Sequence, residues 1–291
     1  MSLRSAASLR YPSRLRMPAL LMTPSIRGGV LILVVLIASA VVAQFALGDP
    51  LNQDLAGIYA PPLTPGHPLG TDGLGRDILA WVEAGVLTGL QVSAGVVLVS
   101  ATVGTIIGLI AGYSGGIVDT LLMRLTDFQL AIPPLPLFIA ASAIVTGSLP
   151  VVIVLISVVS WVPYSRLVRA RVLVERDRAY VSAARLAGTR SWRILLVHLL
   201  PTTATEVTVI ASLQAGVALL VESGLSFLGL GLQPPYKSLG FMIAEGRDNL
   251  VGAWWVTTFP GIAIVLLVLA FNLIGDGLRD ALHSDVDVLG R

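Results

Sequence analysis

Long apolar runs alternate along this chain with short stretches rich in arginine or aspartate, and the run lengths are the first constraint. A bilayer core about 30 Å thick needs about 20 apolar residues at 1.5 Å rise each. Residues 28–47 and 91–112 meet that without a charge. A third run, 128–146, contains Pro133, Pro134 and Pro136, each of which lacks an N–H and clashes with the preceding turn, so a break is expected there. Residues 149–165 form a fourth run, and 207–221 a fifth that is interrupted by Glu222 and resumes over 225–232. The sixth covers 254–274. Ahead of the second run, Ile78, Leu79, Trp81 and Val82 lie beside Asp77 and Glu83 and predict a separate short interfacial helix over 78–85. Trp81, Trp254 and Trp255 are expected at the headgroup level, which tryptophan prefers. Six spans place both termini on one side.

Composition turns these runs into a membrane protein. Hydrophobic residues make up 55% of the 291 residues and charged residues 12%, with a mean hydropathy of +0.86. A soluble domain carries about a quarter charged residues, because its surface must be wetted. Sixteen of the nineteen basic residues fall on one face of the six-span arrangement, eight of them arginines between 166 and 193. Arg76, Lys237 and Arg247 fall on the other. The positive-inside rule therefore puts both termini and the 166–193 loop in the cytoplasm and the 48–88 loop outside. The first run, behind 27 residues of lead, is too long for the 7–15-residue apolar region of a signal peptide.

Several chemistries are excluded. Without cysteine there is no disulfide framework or thiolate site. His67, His198 and His283 are far apart and outside any H-E-x-x-H pattern, which disfavours a zinc hydrolase. The net charge of +2 does not suggest a nucleic-acid partner. The lone lysine, Lys237, follows Pro234-Pro235-Tyr236 with no glycine cradle, so no phosphate-binding loop is present. Ser223-Gly224-Leu225-Ser226-Phe227 lacks the first glycine of a nucleophile elbow.

Three features remain as candidates. In the cytoplasmic stretch 175–201, Tyr180, Ala183, Ala184 and Ala187 share a helical face, and Gly188 is a natural stop. Thr189 or Ser191 can cap a second short helix that Pro201 closes. Two such helices form either a knob for a partner's groove or an arginine-rich loop on lipid headgroups. Ser100, Gly104, Gly108 and Gly112 repeat every four residues and permit close helix approach, within this subunit or against a second one. Pro133, Pro134 and Pro136 mark a bend near a translocation pathway or a packing kink, and Glu222 lines that pathway or marks the outer end of span five.

Ser182-Ala183-Ala184-x-x-x-Gly188, with Pro201 following, resembles the E-A-A-x-x-x-G loop of permease subunits of binding-protein-dependent ABC importers. Gly70-Thr71-Asp72-Gly73-Leu74-Gly75-Arg76-Asp77 is similar to the outward motif of the dipeptide/oligopeptide/nickel subfamily. Leu225–Gly231, Gln233-Pro234-Pro235, Glu245-Gly246-Arg247 and Gly275–Asp280 continue the match in order, over roughly 28–282. The chain departs from the pattern at Ser182, usually glutamate, at Leu239, usually tryptophan, and in the tail after Leu282.

The resemblance implies an all-α integral membrane protein with six transmembrane helices, the type I ABC importer transmembrane domain, both termini cytoplasmic. Its parts are a basic N-terminus (1–27), a first helix (28–47), an extracytoplasmic loop (48–88), a transmembrane core (89–282) containing the coupling loop 175–201, and a tail (283–291). Tyr180, Ser182, Ala183, Ala184, Gly188, Trp192, His198 and Pro201 would form the ATPase-coupling loop. Implied partners are a second homologous permease, two ATPase subunits or one fused chain, a substrate-binding protein and the lipid of the cell membrane. The chain itself would hold no cofactor and perform no catalysis, since ATP and Mg would bind the ATPase subunits. The implied cargo is di- or oligopeptides, with nickel or another small solute as the alternative. An ion-coupled secondary transporter is the rival class, but its internal repeats and embedded ion-coupling groups are missing from this sequence. A membrane protease lacks a nucleophile–base pair.

Overall fold

The computed structural model describes residues 23–142 and 147–288, with side chains through 281. The remaining termini, the end of the expected third span and the side chain of His283 lie outside the described residues. Helix α1, Pro24–Ala46, opens on a proline, where a missing N–H costs nothing. Helix α2, Ile78–Ser114, is capped by Asp77, whose carboxylate accepts the Ala80 N–H at 2.8 Å. It runs unbroken for 37 residues, so the separate interfacial helix expected over 78–85 is instead its first two turns. Gly85 and Gly89 do not interrupt it, because neighbouring leucines press on both. A methyl group on Gly85 would stand 2.7 Å from Leu239, and one on Gly89 2.6 Å from Leu219.

Helices α3, Gly116–Ala131, and α4, Pro134–Ser142, meet at a 79° bend. The expected third span thus begins at Gly116 and breaks once. Pro134 and Pro136 fall in the first turn of α4, whose amides have no intrahelical acceptor. Helix α5, Leu149–Glu175, continues past the expected 165 and carries Arg166, Arg169 and Arg171. Arg169 grips Asp119 of α3 with two nitrogens, at 2.5 and 2.7 Å, and Arg166 donates to Asp127 at 2.8 Å. Then come α6, Ala179–Leu186, and a turn, Ser191–Arg193. The π-helical Ile194–Leu199 follows, then α7, Leu200–Phe227. Helices α8, Leu239–Gly246, and α9, Trp255–Val288, are the last of the described residues' α-helices. Among the described residues, five helices are long and apolar enough to cross a membrane, giving up to six spans if α3 and α4 form one broken span.

The centre of the fold is the α2–α5 pair. Ser100, Gly104, Gly108 and Gly112 are buried along one stripe of α2. A methyl group on Gly108 would lie 2.6 Å from the Ser165 carbonyl oxygen and 2.8 Å from Val168 Cβ. One on Gly112 would lie 2.8 Å from Val172 Cβ, and Gly104 meets Trp161 and Tyr164 in the same way. The small-residue stripe therefore packs within this subunit. At the end of the bundle beside the 47–77 loop, Trp81, Leu219, Leu239, Met242 and Leu267 close one core cluster. At the opposite end, Leu109, Val168, Val172, Val181, Ile194 and Leu199 close another.

Candidate functional site

The cluster around Val168 and Val172 is where the 175–201 segment is fixed. Val181, fully buried, is the α6 side chain that enters it. Tyr180 and Ala184 pack beside it, whereas Ala183 and Ala187, expected on the same face, are exposed. The larger apolar gain of a valine rotates the helix onto Val181. Glu175, at the end of α5 and only 4% exposed, accepts the Tyr180 hydroxyl at 2.8 Å. Arg178 reaches the same oxygen at 3.3 Å and Arg171 the other at 3.2 Å. Arg171 also lies 3.3 Å from Glu206 of α7. A buried carboxylate requires such partners, and these tie α6 to two spans at once.

Gly188 ends α6 at φ +74°. Its N–H bonds the Arg185 carbonyl and the Thr189 N–H the Ala184 carbonyl, both at 3.0 Å, which is the Schellman arrangement. No atom lies near enough to meet a side chain at 188, so glycine is needed there for its backbone alone. Beyond the bend the structure departs from expectation twice. Arg190 occupies the cap position without a side-chain bond, in place of Thr189 or Ser191. Pro201 does not close the helix. Its ring would clash with the Val197 carbonyl in an α-helical ladder, and the wider π turn over Ile194–Leu199 lets the chain pass straight into α7. His198 stacks on Tyr180 with ring centroids 6.4 Å apart.

The segment thus has a pinned underside and a bare outer face. Ser182, Ala183 and Arg185 are exposed, Leu186 is 91% exposed and Trp192 56%. Two large apolar side chains flank the bend among arginines.

The pathway candidates are not brought together. Pro133, Pro134 and Pro136 lie on the outside of the chain at the α3–α4 break, and Phe138 is the buried residue of α4. Glu222 sits inside the last turns of α7 and is 2% exposed. It accepts the hydroxyls of Ser226 at 2.7 Å and Ser238 at 2.9 Å, so it clamps α7 to the start of α8.

Outside the membrane helices, Arg76 is 4% exposed and joins Asp72 to Glu245 of α8, both at 2.5 Å. Its guanidinium lies 4.0 Å from the centre of the Trp81 ring, and Trp255 Nε1 donates to the Thr71 carbonyl at 3.0 Å. Trp81 and Trp255 are therefore interior residues and not headgroup anchors; Trp254 is half exposed. Burial raises the Glu245 carboxyl above its ordinary pKa, against the pull of Arg76. Sequence reasoning assigned no role to Glu175, Arg171, Ser238 or Glu245. The motif around Arg76 was a signal that its side chain had work to do, but its partner is 169 residues away.

A sequence model of the family described as "Binding-protein-dependent transport system inner membrane component" matches residues 104–288. The chain is 41% identical over 262 residues to the dipeptide transport system permease protein DppC of Haemophilus influenzae, covering 88% of each chain. It is 40% identical over 286 residues to the di/tripeptide transport system permease protein DppC of Pseudomonas aeruginosa, covering 96% of this chain and 94% of that one. The glutathione transport system permease protein GsiD of Pectobacterium atrosepticum is 43% identical over 218 residues, covering 74% of this chain and 72% of the relative.

Proposed function

The chain belongs to the family of inner membrane components of binding-protein-dependent transport systems, and we propose that it is the permease subunit of an ATP-driven peptide importer. Peptide cargo is supported by relatives named for dipeptide, di/tripeptide and glutathione transport. In this reading a second permease completes the pore, and two ATPase subunits, or one fused chain, bind the ATP and Mg. A substrate-binding protein delivers cargo to the outer face. The arginine census supports cytoplasmic termini and a cytoplasmic 175–201 segment.

The observation that carries the reading is the two-sided α6 segment. Its underside is fixed by Val181 and Glu175, while Leu186 and Trp192 project without cover. A loop resting on headgroups needs no such internal bracing. A knob that receives force does, because an unbraced knob would move without moving the spans. Closure of the ATPase pair would push on the knob, and α5 and α7 would carry the displacement toward the outer side, opening the cavity outward.

Leu186→Asp tests this. The side chain is 91% exposed, so stability should change by no more than about 0.5 kcal/mol. ATPase-subunit co-purification and ATP-driven peptide uptake should both be lost. Gly188→Val, which opposes positive φ at a cost of about 1–3 kcal/mol, should uncouple the complex while the subunit still inserts. Ser182→Glu should keep or strengthen association. Wild-type co-purification and uptake in both Leu186→Asp and Gly188→Val would overturn the assignment.

A further inference from the structure

Where α1 passes the first turns of α2, the facing stripes are alanines: Ala40 and Ala43 on α1, Ala80 and Ala84 on α2. Methyl groups cannot fill the space between two helices at native packing density, and a cavity of about 300 Å³ remains, within the range of small-molecule sites. Its polar lining is Gln44, Glu83, Thr88, Gln91 and Lys237. Glu83 and Lys237 thus border one space without forming an ion pair with each other. Ser39 donates to Glu83 Oε2 at 3.1 Å, and among the described residues no other side chain is hydrogen-bonded to that carboxylate. Lys237, the chain's lone lysine, likewise has no carboxylate partner there. Half-buried charges of opposite sign, held apart across a cavity, are costly unless something of matching charge lies between them.

The matching ligand is a zwitterion, with an ammonium for Glu83 and an anionic group for Lys237. The surface around the cavity selects its source. Val30, Val34, Ile37 and Val41 form an exposed apolar strip along the side of α1 that runs on to Gln44 in the cavity lining, with Val34 55% and Val41 42% exposed. Acyl chains fit that strip, and a headgroup attached to them would reach the cavity at the α1 terminus. We propose that this cavity binds a phosphoethanolamine lipid, its ammonium on Glu83, its phosphate on Lys237 and its chains along α1. Gln44 and Gln91 would donate further hydrogen bonds to the phosphate.

The test uses the full-length chain with its accompanying subunits, reconstituted in nanodiscs of phosphatidylglycerol containing either phosphatidylethanolamine or phosphatidylcholine. Lipid retained after detergent washing is counted by native mass spectrometry, a readout independent of cargo and of transport. Phosphatidylethanolamine should be retained in preference to phosphatidylcholine, whose trimethylated nitrogen has no N–H for Glu83. Lys237→Gln and Glu83→Gln should each weaken retention about tenfold, the loss of one charge-assisted hydrogen bond. Lys237 lies in a loop, so its variant carries the test even where Glu83→Gln fails to assemble. Equal retention of the two lipids, or wild-type retention in Lys237→Gln, would overturn the proposal. Displacement of the lipid by millimolar dialanine would also overturn it, by showing that the site takes a free zwitterion.

Discussion

Tyr180→Phe isolates the bracing of α6 with a single atom. The ring keeps its place beside His198 and Val181, and the hydroxyl that donates to Glu175 at 2.8 Å is removed. A hydrogen bond to a charged group contributes about 1.5–3 kcal/mol. Arg171 and Arg178 stay on the carboxylate, so the loss belongs at the low end, about 1.5–2 kcal/mol. At tenfold per about 1.4 kcal/mol, α6 should open locally about ten to thirty times more often. Hydrogen exchange reads this directly at the amides of Ser182, Ala187, Gly188 and Thr189, all bonded within the α6 fold. Protection there should fall by that factor while amides in α2 stay unchanged. Val181→Ala removes two methyl groups from a fully buried site and should cost about 2–3 kcal/mol, a larger effect in the same place. In the assembled importer, Tyr180→Phe should lower uptake per ATP hydrolysed. Unchanged protection at all four amides in Tyr180→Phe would refute the bracing argument, whatever happened to transport.

Three further outcomes are expected. Gly108→Leu drives a side chain into the Ser165 carbonyl and Val168 and should lower the detergent melting temperature, overpacking costing about 1–3 kcal/mol; Leu98→Ile, on an exposed face of the same helix, should leave it unchanged. Glu245 holds its proton more tightly in the folded chain, so its contribution to stability is present below its ordinary value of 4.5 and lost as pH rises through the raised one. Glu245→Gln should flatten that part of the thermal-stability profile just above pH 4.5. Single cysteines at Val251, fully exposed, and Ser191, also exposed, should label from opposite sides of the membrane, with position 251 modified in intact cells by an impermeant reagent.

The spans were legible because a lipid-facing backbone must satisfy itself within helices, so apolar length alone marks them. Their ends were not, because charge was read as the limit of a span. Arg169 and Asp119 neutralise each other across 50 residues, and α3 and α5 run on through both. The glycine stripe announced a close approach but not what approaches, since a four-residue repeat fixes a face and leaves its neighbour open. Gly188 was readable as a stop because its role is local. Glu175 stood in plain view among arginines, yet one of them, Arg171, also pairs with Glu206 of α7, which arrives from further along the chain. Pro201 misled for a related reason: proline forbids an α-helical ladder, and a wider turn is a second way to obey it.

That wider turn makes Ser191–Phe227 one continuous rod of 37 residues, about 55 Å long at 1.5 Å per residue. Trp192 rides at one end, and near the other Glu222 grips Ser238, the cap of α8. Through Glu245 and Arg76, α8 is in turn tied to Asp72 of the 47–77 loop. The subunit therefore contains a lever with a fitting at each end. A ten-degree tilt about its middle would swing each tip by about 5 Å, in opposite directions, over the length that helical rise gives it. A push at the tryptophan would be felt as a sideways pull on that loop, with no helix required to bend.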